Sequence, residues 1–119
     1  MNPVILESPF SSPDQGQFEL NIRYAQAAMR DSLMRGEAPF ASHLLYTQEG
    51  ILDDTVHHER TLGIEAGFAW GALARKTVVY NDLGISPGMQ QGINIAFNRG
   101  SIVEYRFLPP DVLERVKNG

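Results

Sequence analysis

The stretch Ser86-Pro87-Gly88-Met89 has the residue order of a helix start: a serine cap, a proline at the first helical position, and a glycine that leaves the first turn uncovered. N–H groups at such a start lack internal partners and carry partial positive charge, so they suit a phosphate or a carboxylate. The same residues also read as a plain cap that binds nothing. Asp82 ends the run "KTVVYND" just before it. An aspartate there can hydrogen-bond ribose hydroxyls or act as an acid or base, while Asp82-Leu83-Gly84 also has the composition of an Asx-turn.

The other chemistry-bearing residues are scattered. His43 follows "APFAS", and a histidine without a partner is more often structural than catalytic. His57 and His58 are adjacent, so a helix points them in different directions; they lack the i, i+4 spacing of a metal pair, and no metal site is expected. Asp53-Asp54-Thr55 reads as a capped loop before a helix, and Glu59 with Arg60 as a solvated pair. Asn21 and Tyr24, three apart on a helix, share a face that can look toward the loop holding Ser8, Pro9 and Phe10. Trp70 is expected in the core. The motifs of kinases, P-loop ATPases and serine hydrolases are missing, as is a GxGxxG fingerprint.

The elements that must position these residues alternate between β and α. "PVILES" is a short apolar run stopped by Pro9, as suits a strand buried on both faces. Phe18 to Arg35 has helical spacing through Ile22, Ala25, Met29 and Leu33, with Gly36 at the cap. "APFASHLL" reads as a second strand with its exit near His43. "VHHERTLGIEAGFAWGALA" reads as a helix with Leu62, Ala66, Ala69 or Trp70, and Leu73 on its apolar side. Gly63, Gly67 and Gly71 lie along one edge of it and let another backbone approach. "KTVVYND" is the third strand, Ser86 to about Arg99 the next helix, "SIVEYRFL" the fourth strand, and "PPDVLERVKN" a closing helix started by Pro110. This order predicts a small doubly wound α/β domain over residues 1–119, a parallel sheet of four to five strands with helices on both faces. Ligands of such sheets bind beyond the carboxyl ends of the strands, where the strand order reverses. That rule selects Ser8–Ser12, the region of His43, and Asn81–Ser86.

With 119 residues the chain suits one domain with one core. The formal charge of −4 and the lack of a basic run argue against nucleic acid and anionic membrane as partners. The absence of cysteine excludes disulfides, thiolate metal sites and cysteine catalysis, and suits a reducing cytoplasm. The apolar N-terminus lacks a basic leader and meets acid and proline at once, so no signal peptide is expected.

The order "VILESPF", "NIRYAQAAMRDSLMRGEAPFASHLL", "VVYNDLGISPGMQQGINIAFNRGSIVEYR" resembles the nucleoside 2-deoxyribosyltransferase-like superfamily, nearest to its small domains of unknown function common in phages and bacteria. The resemblance covers about Val4 to Leu108. It implies a flavodoxin-like sheet, a pocket for a nucleoside or nucleotide, no cofactor, and a homo-oligomer. Carried over, Pro9 and Phe10 line the sugar–base pocket, Ser86, Gly88 and Met89 take the phosphate or ribose end, and Asp82 is the candidate acid. With Ser8, Asn21, Tyr24, His43 and Gly84 these make up the expected site. The superfamily's enzymes cleave N-glycosidic bonds with a glutamate nucleophile from an Asp-x-Gly-Thr-x-x-Glu turn. The matching position here is Gly92, which cannot attack an anomeric carbon.

Three readings follow. The first is a binder that holds a nucleotide-derived molecule without glycosyl transfer, one form being a phage protein that sequesters a nucleotide immune signal. The second is an N-glycosidase or deoxyribosyltransferase with a rearranged acid, such as Asp82 or Glu65. The third is an oligomeric interaction module with a vestigial pocket, using the glycine edge and the last strand for subunit packing.

Overall fold

In the computed structural model, which describes residues 1–119, the apolar N-terminal run is strand β1 (Asn2–Glu7). The chain continues through α1 (Gln15–Met34), β2 (Glu37–Phe40), α2 (Ser42–Leu45), α3 (His57–Gly71), β3 (Lys76–Tyr80), α4 (Pro87–Asn98), β4 (Ile102–Arg106) and α5 (Pro110–Asn118). The four strands form one sheet in the order β2-β1-β3-β4, every pair parallel. This is a small doubly wound α/β domain of flavodoxin-like kind. The order reverses between β1 and β3, so the crevice for ligands opens beyond Glu7 and Tyr80.

Strand alternation sorts the side chains of β1. Val4 and Leu6 join Tyr24, Ala28, Val78, Tyr80 and Val116 in the larger core, under α1 and α5. Ile5 and Glu7 turn to the opposite face, where Val79, Met89 and Ile93 make a smaller core under α4. That second face holds the site.

α1 starts where the Asp14 side chain accepts the Gln17 N–H at 2.7 Å, and ends before Gly36, whose φ of +83° only glycine adopts easily. Its inward face differs from the expected stripe. The buried residues are Asn21, Tyr24, Ala25, Ala28 and Ser32, and Leu33 is left 46% exposed. Small alanines let the helix sit close to the sheet, and the two polar residues are tolerated because each is bonded. Asn21 Nδ2 donates to Phe10 O at 2.9 Å, and Ser32 Oγ donates to Glu37 at 2.7 Å.

A buried ion pair links the two edge strands across the same face. Both guanidinium nitrogens of Arg106 donate to the two oxygens of Glu37 at 2.7 Å, and Arg106 Nε donates to Glu104. Hydrogen bonds from Arg106 hold the Glu37 carboxyl down at about 2.

Two expectations are corrected here. The second strand stops at Phe40, and "SHLL" winds into the single turn α2. Trp70 is 51% exposed, not core: its indole N–H donates to Tyr46 at 3.0 Å and its ring lies 5.5 Å from Phe40. The cause is the orientation of α3. Its glycine edge faces inward, so Leu62 and Leu73 stand 54% and 72% exposed on the other side. A side chain at Gly67 would lie 2.7 Å from Ser42 Oγ, and one at Gly71 would strike the Arg99 guanidinium. The glycine edge thus packs within the chain, against Ser42 of α2 and Arg99 at the C-cap of α4.

Candidate functional site

A cavity of about 300 Å³ lies over the second sheet face, between α3 and α4. That is the lower end of the range for small-molecule pockets. Ile5, Glu7 and Thr77 form its floor. Gly63, Ile64, Gly67 and Phe68 of α3 make one wall, and Met89, Gly92, Ile95 and Ala96 of α4 the other. At the mouth stand Ser8 and Phe10 after β1, His43 on α2, and Ser86 and Gly88 at the start of α4. Ser11 Oγ donates to Asp54 at 3.2 Å, tying the first loop to the one before α3.

The start of α4 is built as its residues require. Ser86 caps it by accepting the Met89 N–H at 3.3 Å, and Pro87 takes the first helical position. Capping leaves fewer free donors than the bare motif suggests: of the two amides, Met89's is taken and Gly88's donates to no protein acceptor. At the rim nearby Glu59 accepts the Asp53 N–H at 3.1 Å, and Arg60 makes no ion pair.

Six of the expected residues line the cavity: Ser8, Phe10, His43, Ser86, Gly88 and Met89. Pro9, Asn21, Tyr24, Asp82 and Gly84 do not. Asn21 holds the Phe10 carbonyl and so shapes the first loop from behind. Gly84 closes the turn after β3 with a φ of +89°. Asp82 has a structural post: it accepts the Tyr24 hydroxyl at 2.6 Å and the Leu108 N–H at 3.0 Å, while its own N–H donates to Tyr24 at 2.9 Å. Burial and this bond push the Tyr24 phenol well above its ordinary range. Those contacts knit α1 to the ends of β3 and β4 on the far side of the sheet from the cavity.

His43 shares a 2.8 Å hydrogen bond between its Nε2 and Ser8 Oγ, and Phe10 stacks edge-on against its ring at 6.0 Å. Burial pulls the imidazole down to about 4, so it is neutral at physiological pH.

The residue that the sequence concealed is Glu7. Its carboxyl points into the cavity and has neither a hydrogen-bond donor nor a cation beside it. Burial alone pushes it up to about 8. The group fills the space beside Gly92: a Cβ built there would lie 2.7 Å from Glu7 Cδ and closer still to Oε2. The Glu7 carboxyl, carried by β1, thus occupies the place that a side chain at 92 would enter. Gly92→Ala is expected to destabilise the protein, whereas in a Glu7→Ala background the same change should stabilise it by about 1 kcal/mol through helix propensity. Urea denaturation of the four proteins measures this coupling, and additive effects would place the carboxyl elsewhere.

With this geometry in place, comparison with known proteins adds a family. A family model described as a domain of unknown function, DUF7768, matches residues 2–106. The chain belongs to the DUF7768 family. The match takes in all four strands and every residue of the cavity wall, and stops short of α5. No curated protein and no solved structure matches the chain. The DUF7768 domain contains no cluster of three or more His, Cys, Asp or Glu placed to hold a metal, and no helix long and apolar enough to cross a membrane. Its site is a pocket whose buried titratable groups, Glu7 and His43, are both neutral near pH 7, with Arg60 and the Gly88 amide also at its edge.

Proposed function

We propose that the cavity binds a nucleoside- or nucleotide-derived small molecule and returns it unchanged. One observation carries the reading: a neutral, glycine-walled interior opens at a mouth holding an unpaired arginine and a helix-start amide. An uncharged base fits the first and an anionic phosphate the second. The position at the β1/β3 reversal supports it, as does the likeness to deoxyribosyltransferase-type domains. In one form, suggested by the phage relatives in that likeness, the protein sequesters a nucleotide immune signal. Subunit association belongs to the same reading, with the exposed Leu62, Trp70 and Leu73 as the surface for a second copy; light scattering at micromolar concentration tests that part.

The binding test is calorimetry against nucleoside monophosphates and nucleotide second messengers, followed by heat release and chromatography. At least one is expected to bind and to be recovered intact, with Arg60→Ala weakening it about tenfold, the scale of one charge-assisted contact. Silence across the panel, or recovery of free base, overturns the reading.

A further inference from the structure

Glu7 is the one carboxylate of the cavity wall without a partner, since Asp54 and Glu59 both accept hydrogen bonds. Two separate features of the chain work against its being there. A carboxyl recessed among apolar groups without a donor is unfavourable to the fold. In the position it takes, the carboxyl also fills the space of a Cβ at Gly92, inside a helix where alanine would be better by about 1 kcal/mol. A leucine at 7 and an alanine at 92 would fill the same space without either cost.

We propose that Glu7 is the acid of the site, its carboxyl O–H donating to an unprotonated ring nitrogen or carbonyl oxygen of a planar heterocycle held in the cavity between α3 and α4. This rests on reading the cavity as a nucleoside pocket. Ile64 and Phe68 on the α3 wall supply apolar contact for a ring. The carboxyl lies deeper than the mouth, so a phosphate at Arg60 and a ring at Glu7 are compatible in one ligand. The other charged or titratable groups of the wall are His43 from α2, Tyr46 just after it, Asp54 from the loop, Glu59 and Arg60 from α3, and Arg99 at the C-cap of α4, and none pairs with Glu7. The neutral form of the acid follows from burial, which leaves it protonated at physiological pH.

Dicyclohexylcarbodiimide reports on such an acid. The carboxyl proton passes to a carbodiimide nitrogen and the carboxylate oxygen adds to the central carbon. The O-acylisourea then rearranges to a stable N-acylurea, with no leaving group. The full chain is treated at pH 6.5 and 9.5, with and without adenine, hypoxanthine or cytosine, and the adducts are mapped by peptide mass. Glu7 should react at pH 6.5 well ahead of exposed carboxylates such as Glu114 and at least tenfold more slowly at pH 9.5. Glu7→Gln should abolish that adduct, and one of the bases should protect it. Labelling no faster than Glu114, or no protection by any base, overturns the proposal. A nucleotide that binds in calorimetry while no base protects Glu7 keeps the pocket and removes this role. Protection by a base when no nucleotide binds upholds the role and removes the nucleotide reading.

Discussion

Replacing Glu7 by glutamine should make the protein more resistant to alkaline conditions. In the unfolded chain Glu7 ionises near 4.5, and in the fold near 8. Between those values the folded state holds a proton that the unfolded state has released, so stability falls as pH rises and levels off above 8. The full shift corresponds to roughly 5 kcal/mol, an upper bound because the cavity admits water to the carboxyl. Glutamine has no proton to lose and keeps nearly the same shape. Urea denaturation at pH 5 and pH 9 should show the wild type losing several kcal/mol more than Glu7→Gln over that interval. His43 works in the other direction over an overlapping range: its folded value is depressed to about 4, so its contribution is present above 6.5 and lost as pH falls through 4. The comparison between mutant and wild type cancels it. Equal losses in the two proteins would mean that Glu7 ionises like a surface carboxylate, and the neutral-acid reading of the cavity would go with it.

Truncating Glu37 should be the most damaging single change on the opposite face. Arg106 is 5% exposed and depends on Glu37 for a two-pronged pair at 2.7 Å. Glu37→Ala leaves the buried guanidinium with only the more exposed Glu104 and the Tyr80 hydroxyl as partners, and breaking a buried pair costs up to about 3–5 kcal/mol. Removing both charges with Glu37→Met and Arg106→Met should recover most of the loss, because the cost lies in the unpaired charge rather than in the missing attraction. The pair also sets the acid limit of the fold. With its folded value near 2 and its unfolded value near 4.5, Glu37 contributes above 4.5 and loses that contribution as pH falls toward 2. Thermal melts of the single and double mutants at pH 7 check the first claim. A double mutant as unstable as the single one would show that the pair is needed for its own sake. Both variants leave the cavity lining intact, so ligand binding should survive in the folded fraction.

The two faces of the sheet were unequally legible in the sequence. Apolar and β-branched runs bounded by turn residues marked all four strands, the second extended too far into "SHLL", and the alternation with helices led to a parallel, doubly wound sheet. "KTVVYND" contains β3, which ends at Tyr80, two residues before the run does, and the Ser-Pro start located α4. Local signals sufficed there because strand and cap propensities act within a few residues. The glycine spacing of α3 also correctly marked a close approach, though not what approaches.

Facing directions were another matter. Leu62, Trp70 and Leu73 look like the buried side of α3 by hydrophobicity, yet the helix turns its glycines inward and leaves those side chains out. Asp82 sits at a strand exit, where a ligand contact is expected, yet Tyr24 and Leu108 claim its carboxyl from the other face. Which partner reaches a side chain first depends on elements tens of residues away.

The stretch from Ser86 to Gly92 condenses the division. By itself the sequence determined the strand, the turn, the serine cap and the absence of a carboxylate from that turn, since each depends on residue type and short-range spacing. Only the tertiary structure decided what stands at the empty position. Parallel pairing of β1 with β3 and the packing of α4 over both bring Glu7 against Gly92, residues that no local rule connects. The physical reason is that a cavity is a property of packed elements: its shape, its low polarity and the proton on its acid exist only once strand and helix have closed around it.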